Sequence, residues 1–361
     1  MKIPLLFIIM FCFLSCKWDI PYENPNTKLV ENFQIITDST YYEVGHVKYH
    51  DSISFLCFNV RSNIIKKYVK NENGNYYCAE RFTIPFKSNF YSYVNMSENK
   101  FVLIDSKNIH YLFENNKFIR KYLSLEKKKF LENSYYYLDD ILHPIIFLDS
   151  LFIATYCHGN IEGRWKYFSE PSVCEYKIEN REIIKLKDYL EKPHNLKDYR
   201  TPFPCYNFVK NSIFLIYPCF DTIYIFNRNK QIEQKIHINN RDFKMPEKYN
   251  YNRFFSKDSR RYDTEYKLNN FQYNAIFYNS RSDHFLLFYY TPVKKGETFQ
   301  NLKLLVLDKD FKNPIYYEFN GQEYRGAFCF VVIPDKGIAM PLLRNNPYED
   351  EKDILYHVYN F

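Results

Sequence analysis

The stretch Asn207 to Ile238 reads N-F-V-K-N-S-I-F-L-I-Y-P-C-F-D-T-I-Y-I-F-N-R-N-K-Q-I-E-Q-K-I-H-I. It contains four runs rich in β-branched and aromatic residues: Phe208 and Val209, Ile213 to Tyr217, Thr222 to Phe226, and Gln231 to Ile238. Such residues suit a pleated, half-buried surface, and the short polar breaks between the runs suit tight turns. The stretch therefore predicts one antiparallel meander of four strands. Continuous apolar runs such as Ile213 to Tyr217 fit strands covered on both faces.

The same pattern recurs along the chain with a period of roughly 50 to 70 residues, the range of propeller blades. One copy covers Gly45 to Ile84, a second Phe90 to Leu123, a third Pro144 to Leu186, and the opening stretch is the fourth. A fifth covers Asn274 to Phe319 and a sixth Gly326 to Asn360, where the sequence ends one strand short of four. Leu29 to Thr37 (L-V-E-N-F-Q-I-I-T) is a β-rich run belonging to no copy. It can supply the missing outer strand and so remove the unpaired edges of an open array. The expectation is an all-β chain, a six-bladed β-propeller of four-stranded antiparallel blades closed by an N-terminal strand.

Met1 to Cys16 reads M-K-I-P-L-L-F-I-I-M-F-C-F-L-S-C. A charged start and an apolar core of about a dozen residues have the proportions of a secretory signal, and are too short to span a bilayer. The end of this run, Phe13-Leu14-Ser15-Cys16, resembles the lipobox of bacterial lipoproteins. That resemblance implies cleavage before Cys16 and lipid attachment to its thiol, with Phe13 standing where the pattern usually has Leu. The chain then divides into a signal peptide over 1–15, a lipidated cysteine and tether over 16–28, and a propeller over 29–361. A dense acidic run after Cys16, which would resemble the surface-export signal of Bacteroides-type lipoproteins, is absent, and that comparison implies a periplasm-facing outer-membrane location ahead of the cell surface. With the lipobox and six such units, Tyr217 to Tyr224 (Y-P-C-F-D-T-I-Y) is similar to the uncharacterised six-bladed, TolB-like propeller lipoproteins of Bacteroides-type bacteria. That family carries no assigned catalytic set.

The aromatic content of 20%, with 36 Tyr and 34 Phe, favours strands, and AT-rich codon usage accounts for part of it. A net charge of +7 spread over mixed Lys, Arg, Asp and Glu implies weak attraction to anions; it forms no basic stripe of the kind nucleic-acid binding requires. Beyond Cys16 and Cys12, seven cysteines remain, an odd number that excludes complete pairing within one chain. Cys157 with Cys174, and Cys205 with Cys219, stand where neighbouring strands could bring them together; buried thiols are the alternative. No spacing suggests zinc, and no motif implies a cofactor or a catalytic set.

In the expected fold the long connections gather at one end, and loops on a rigid scaffold are where binding residues usually sit. They include Leu125 to His143, His158 to Ser172, Lys187 to Pro204 and Asn239 to Gln272. His158, Arg164 and Trp165 are candidates for ligand contact, with loop packing as the other reading of Trp165. Arg260, Arg261 and Tyr262 form a basic, aromatic group suited to an anionic or sugar-like ligand. Asp105 and Asp221, each followed by Ser or Thr, read as turn formers. Asp139, Asp140 and Glu349 to Glu351 are the carboxylates on which a glycan-cleaving enzyme would have to rest. The leading expectation is a lipid-anchored, non-enzymatic binding or scaffold protein for an envelope protein or glycan. The alternative is a carbohydrate-active hydrolase or lyase.

Overall fold

A computed structural model of the chain describes residues 20–37, 43, 46–59, 62–86, 90–97, 99–105, 109–124, 134–138, 145–148, 151–159, 172–179, 182–189, 199, 204–227, 232–250, 253, 257–294, 296–343 and 352–361. The chain is nearly all β. It opens with β1 (Tyr22–Glu23), a 3-10 turn over Pro25–Lys28, and β2 (Leu29–Ile36). A first meander follows: β3 (Val47–Asp51), β4 (Ser54–Asn59), β5 (Ile64–Lys70) and β6 (Tyr76–Thr83). The second is β7 (Phe90–Ser97), β8 (Lys100–Asp105), β9 (His110–Glu114) and β10 (Lys117–Ser124).

The third group has five pieces: β11 (Ser134–Leu138), β12 (Ile146–Leu148), β13 (Leu151–Gly159), β14 (Ser172–Glu179) and β15 (Glu182–Tyr189). Both β11 and β12 pair antiparallel with β13, one after the other along the same edge. The connection expected over Leu125 to His143 therefore contains a strand. Its Y-Y-Y core at Tyr135 to Tyr137 is a β signal in its own right.

The opening stretch folds as β16 (Cys205–Val209), β17 (Ser212–Ile216), β18 (Thr222–Asn227) and β19 (Ile232–His237), a four-stranded sheet in sequential order. Helix α1 (Ser259–Asn269) then precedes β20 (Gln272–Asn279), β21 (His284–Tyr290), β22 (Leu302–Asp308) and β23 (Ile315–Phe319). The last group is β24 (Val331–Ile333), β25 (Gly337–Pro341) and β26 (Asp353–Tyr359). Its first strand is shorter than expected because Ala327–Cys329 forms a 3-10 turn. As expected, β2 completes this group, pairing antiparallel with β26 from Leu29↔Tyr359 to Ile36↔Asp353.

Outer strands also join neighbouring meanders. The end of β2 runs parallel to the start of β6, and the end of β10 runs parallel to the start of β15. Neighbouring meanders pack on one another through apolar clusters, one of which runs through the fourth, fifth and last. The cluster of Phe33, Val331, Ile354 and Tyr356 with Val47, Phe55, Tyr68 and Tyr76 seats the last meander on the first. Ten of the largest fully buried side chains are tyrosines, so much of the aromatic surplus fills these interfaces.

Turn chemistry explains the tightest hairpins. Asn115 and Asn116 (φ 49° and 59°) and Lys210 and Asn211 (φ 48° and 70°) form two-residue turns in the left-handed region, which Asn tolerates best among residues with a side chain. Gly337 has φ 132°, and a Cβ there would stand 2.0 Å from the Tyr359 carbonyl oxygen. Gly337→Ala must strain the backbone and push β25 from β26, for an expected loss of about 2–4 kcal/mol. Thermal or urea unfolding checks this, and a loss near zero would contradict the stated contact.

Candidate functional site

Antiparallel alternation sorts the connections into two ends. At one end every connection is short; the longest is 309–314, between β22 and β23. At the other end the strands leave the longer connections 37–46, 125–133, 160–171, 190–204, 238–271, 291–301, 320–330 and 342–352, beside the short 60–63, 84–89, 106–109 and 217–221. The segment 139–145 belongs to neither set, since it joins β11 to β12, which pair with the same edge of β13. The connection 238–271 is the longest of those whose course is largely described, and it organises the loop-rich end.

Buried polar contacts hold its first residues. Asp221, directly before β18, accepts hydrogen bonds from the Asn240 N–H (3.0 Å) and from the Tyr273 hydroxyl. Asn240 also donates to the Tyr273 oxygen at 3.1 Å. Asp221 is therefore a link between two meanders rather than the local turn former expected. Asp105 does behave locally, accepting from the Ile109 N–H at 2.9 Å. Burial pushes the Asp221 pKa up, against the hydrogen bonds from Tyr273 and Asn240 that favour the ionised form.

Removing the Asp221 carboxyl as Asp221→Ala strands two buried donors, at an expected cost of about 1–3 kcal/mol, and Asp221→Asn should recover most of it by keeping an acceptor. The raised pKa means that this group's contribution is complete below its unfolded value near 3.8 and declines as pH rises through the folded value. Asp221→Asn should therefore flatten that part of the stability profile. Unfolding midpoints measured across acidic pH test both points.

Further along, the connection builds an aromatic platform. Tyr249, Tyr262 and Tyr266 pack with ring centroids 4.8 to 6.4 Å apart. The Tyr262 hydroxyl oxygen accepts from the Asn250 N–H at 2.7 Å, and Tyr249 donates to Asp263 at 3.0 Å. Tyr262 lies on α1 with its ring buried, and Arg253 stacks on that ring at 4.5 Å. Arg260 and Arg261 stand exposed on the same helix, with Arg261 paired to Glu265 one turn on at 2.8 Å. The group expected in a loop is thus carried by a helix. Two of its members face solvent and the third packs.

His158 is also outside a loop: it is a strand residue of β13, opposite Tyr135. Arg164, Trp165, Asp139, Asp140 and Glu349 to Glu351 lie outside the described residues. Cys205 and Cys219 are free and buried, so the bridge between them does not form, while the side chain of Cys157, and with it the other candidate pair, lies outside the described residues. Among the described residues, no group of three or more His, Cys, Asp or Glu side chains could hold a metal ion, and no helix is long and apolar enough to cross a membrane.

A cavity of about 150 Å³ opens between the first and second meanders at the short-turn end. Lys67, Arg81, Tyr93, Phe101, Asn115 and Asn116 are among its walls. A far smaller hollow of about 10 Å³ lies at the loop-rich end beside Tyr199, Cys219, Tyr266 and Asn270.

One cluster carried no sequence signal. Tyr22 donates to the Asp242 carboxylate, and Lys303 donates to the Tyr22 oxygen at 2.6 Å. Tyr289 also donates to Asp242, at 2.5 Å. The Arg241 guanidinium sits between the rings of Tyr22 and Tyr316, at 4.2 and 4.1 Å. Burial, then the Asp242 carboxylate, hold the Tyr22 phenol well above its ordinary pKa, and Arg241 acts in the opposite direction. Partners 220 residues apart leave no local pattern to read.

No family model and no curated protein sequence matches the chain. Among solved structures it is similar to a member of the DUF4221 family from Bacteroides vulgatus, with a TM-score of 0.64 and 13% identity over 92% of this chain and 97% of that one. At that identity the likeness concerns the fold. A calcium-binding regucalcin from Agrobacterium tumefaciens aligns over 92% of this chain and 98% of its own, with a TM-score of 0.45 and 10% identity.

Proposed function

We propose that this chain is a six-bladed β-propeller, anchored in the bacterial envelope by lipid on Cys16, that binds a protein or glycan through its loop-rich end without catalysis. Sequential meanders, outer strands joined in parallel, and a last meander completed by β2 support the propeller reading. The signal-like N-terminus and its lipobox resemblance support the anchor, with the periplasmic side of the outer membrane as the expected address.

The observation that carries the binding reading is one-sided growth of the connections. Every end connection longer than six residues falls at the same end, while the other end stays at hairpin length. A scaffold that only needed to close would have no reason to elaborate one end. The exposed Arg260 and Arg261 on α1, with any contribution from Arg164 and Trp165, are the side chains to which a partner would bind.

A photo-crosslinking residue placed at Arg261, and separately at Lys309 in a short turn, tests this in intact envelopes. A discrete adduct, protein or glycan, is expected from position 261 and none from 309. Adducts from 309 alone would refute the reading. Turnover of an envelope glycan by the purified protein would refute its non-catalytic part.

A further inference from the structure

The segment just after Cys16 is expected to be a free tether, but its second half is docked. Tyr22 and Glu23 form β1, which pairs in parallel with Tyr316 and Tyr317 on the outer edge of β23. This places β1 at the end of a five-stranded sheet, in order β1-β23-β22-β21-β20. The Tyr22 hydroxyl is held by Lys303 and Asp242, its ring by Arg241, and the Glu23 carboxylate accepts from the Tyr317 hydroxyl at 3.1 Å. Asn24 then caps the 3-10 turn, which has Pro25 at its start and leads directly into β2. From Tyr22 onward the segment is a fixed strap across the outside of the fifth meander.

The strap changes the reach of any anchor at Cys16. Thirteen residue steps separate Cys16 from Leu29, where β2 begins, and a free chain of that length spans at most about 45 Å. Docking at Tyr22 leaves six steps, about 20 Å at full extension. Among the exposed polar residues Glu23, Asn24, Asn26 and Thr27, two large apolar side chains beside the strap also meet solvent: Ile20 is 42% exposed and Val30 56%. In the sequence Lys17 and Trp18 precede them, residue types favoured at the headgroup interface.

We infer that the strap turns the anchor into a short, stiff mount that holds the outer rim of the fifth meander against the lipid bilayer. The inference rests on the reading of Cys16 as a lipidated residue. Its partner is the lipid surface itself, met by the strap, Ile20 and Val30. The loop-rich end, built from different residues, then stays in fixed relation to the membrane.

The full chain, isolated from membranes and reconstituted into phosphatidylethanolamine and phosphatidylglycerol vesicles containing brominated lipid, provides the test. A fluorophore is attached at Lys312→Cys, in the exposed turn leading to β23, or at Ile119→Cys, exposed on β10. The unsubstituted protein serves as the blank for its native thiols. Quenching is expected to be several-fold stronger at 312 than at 119. Inserting ten Gly and Ser residues between Lys17 and Trp18 lengthens the leash without touching the strap, and should reduce that difference. Tyr22→Ala should reduce it in the same way, with near-ultraviolet circular dichroism reporting whether the fold is intact. Equal quenching at the two positions, or a difference unmoved by the insertion, overturns the inference. Mass spectrometry of the N-terminal peptide separates the two levels. An unmodified Cys16 removes the anchor reading and this inference with it, whereas a lipidated Cys16 with equal quenching removes only the inference.

Discussion

Glu43→Ala is expected to cost about 3–5 kcal/mol of stability, because it removes the carboxylate that faces a buried ammonium and satisfies four buried donors. Glu43 lies in the connection between β2 and β3 and is fully buried, as is Lys66 on β5. Its carboxylate accepts from Lys66 Nζ and Thr37 Oγ1, and from Asn59 Nδ2 and the Tyr68 hydroxyl at 2.8 Å each. Thr37 directly follows β2, the strand that completes the last meander, while the other three donors belong to the first. The carboxylate thus joins the two ends of the repeat array, and its loss should loosen closure as well as lower stability. Amide exchange in β2 should accelerate in Glu43→Ala while exchange in β20 to β22 changes little. The double change Glu43→Leu with Lys66→Met removes both charges and should recover much of the loss, since the buried ammonium goes with the carboxylate that faces it. Urea unfolding of the three proteins decides the matter. A single-variant loss below about 1 kcal/mol would show that water reaches Lys66 and that the site is not sealed.

Repetition made the meanders legible. Each strand of the opening stretch is short, but its recurrence places the others, and β2 was identifiable as a run left over once the copies were laid out. Local turn chemistry was equally readable at Asn115–Asn116 and Lys210–Asn211. Contacts set by closure were not. Glu43, Tyr22 and Asp242 occupy unremarkable sequence, and their partners come from other meanders. Asp221 shows the intermediate case: its position at a turn was clear, but its work is done through Asn240 and Tyr273, 19 and 52 residues on. Helix α1 was missed because S-R-R-Y-D-T-E-Y-K-L-N has no clean apolar face. Its tyrosines pack on Tyr249 instead of on a sheet, so the periodicity that marks an amphipathic helix is weak.

Acidification from pH 7 to 5 is expected to remove about 2 kcal/mol of stability through His110 alone. The side chain is fully buried, with its ring 5.4 Å from that of Phe152 where the second and third meanders meet. Burial lowers its pKa from 6.5 to about 3, because the low-dielectric interior disfavours the imidazolium. Between those values the unfolded chain binds a proton that the folded chain does not. The contribution is therefore present above about 6.5 and is lost progressively as pH falls, the loss reaching roughly 4 kcal/mol near pH 3. His357 acts in the same direction, its pKa lowered by burial against the pull of Glu323. Glu31 contributes only at lower pH: burial opposes its ionisation, but Lys336 and Lys70 outweigh that and hold its pKa below 4.5. Asp221, whose pKa burial raises from 3.8, runs in the opposite direction, so an Asp221→Asn background isolates the histidines between pH 6.5 and 5. His110→Phe fills the same space with a ring that cannot titrate, and should flatten the acid slope there while His357→Gln removes a smaller part. If His110→Phe unfolds with the same pH dependence as the parent, the neutral buried imidazole is not the source of acid sensitivity. The interface between the second and third meanders would then have to admit water at that position.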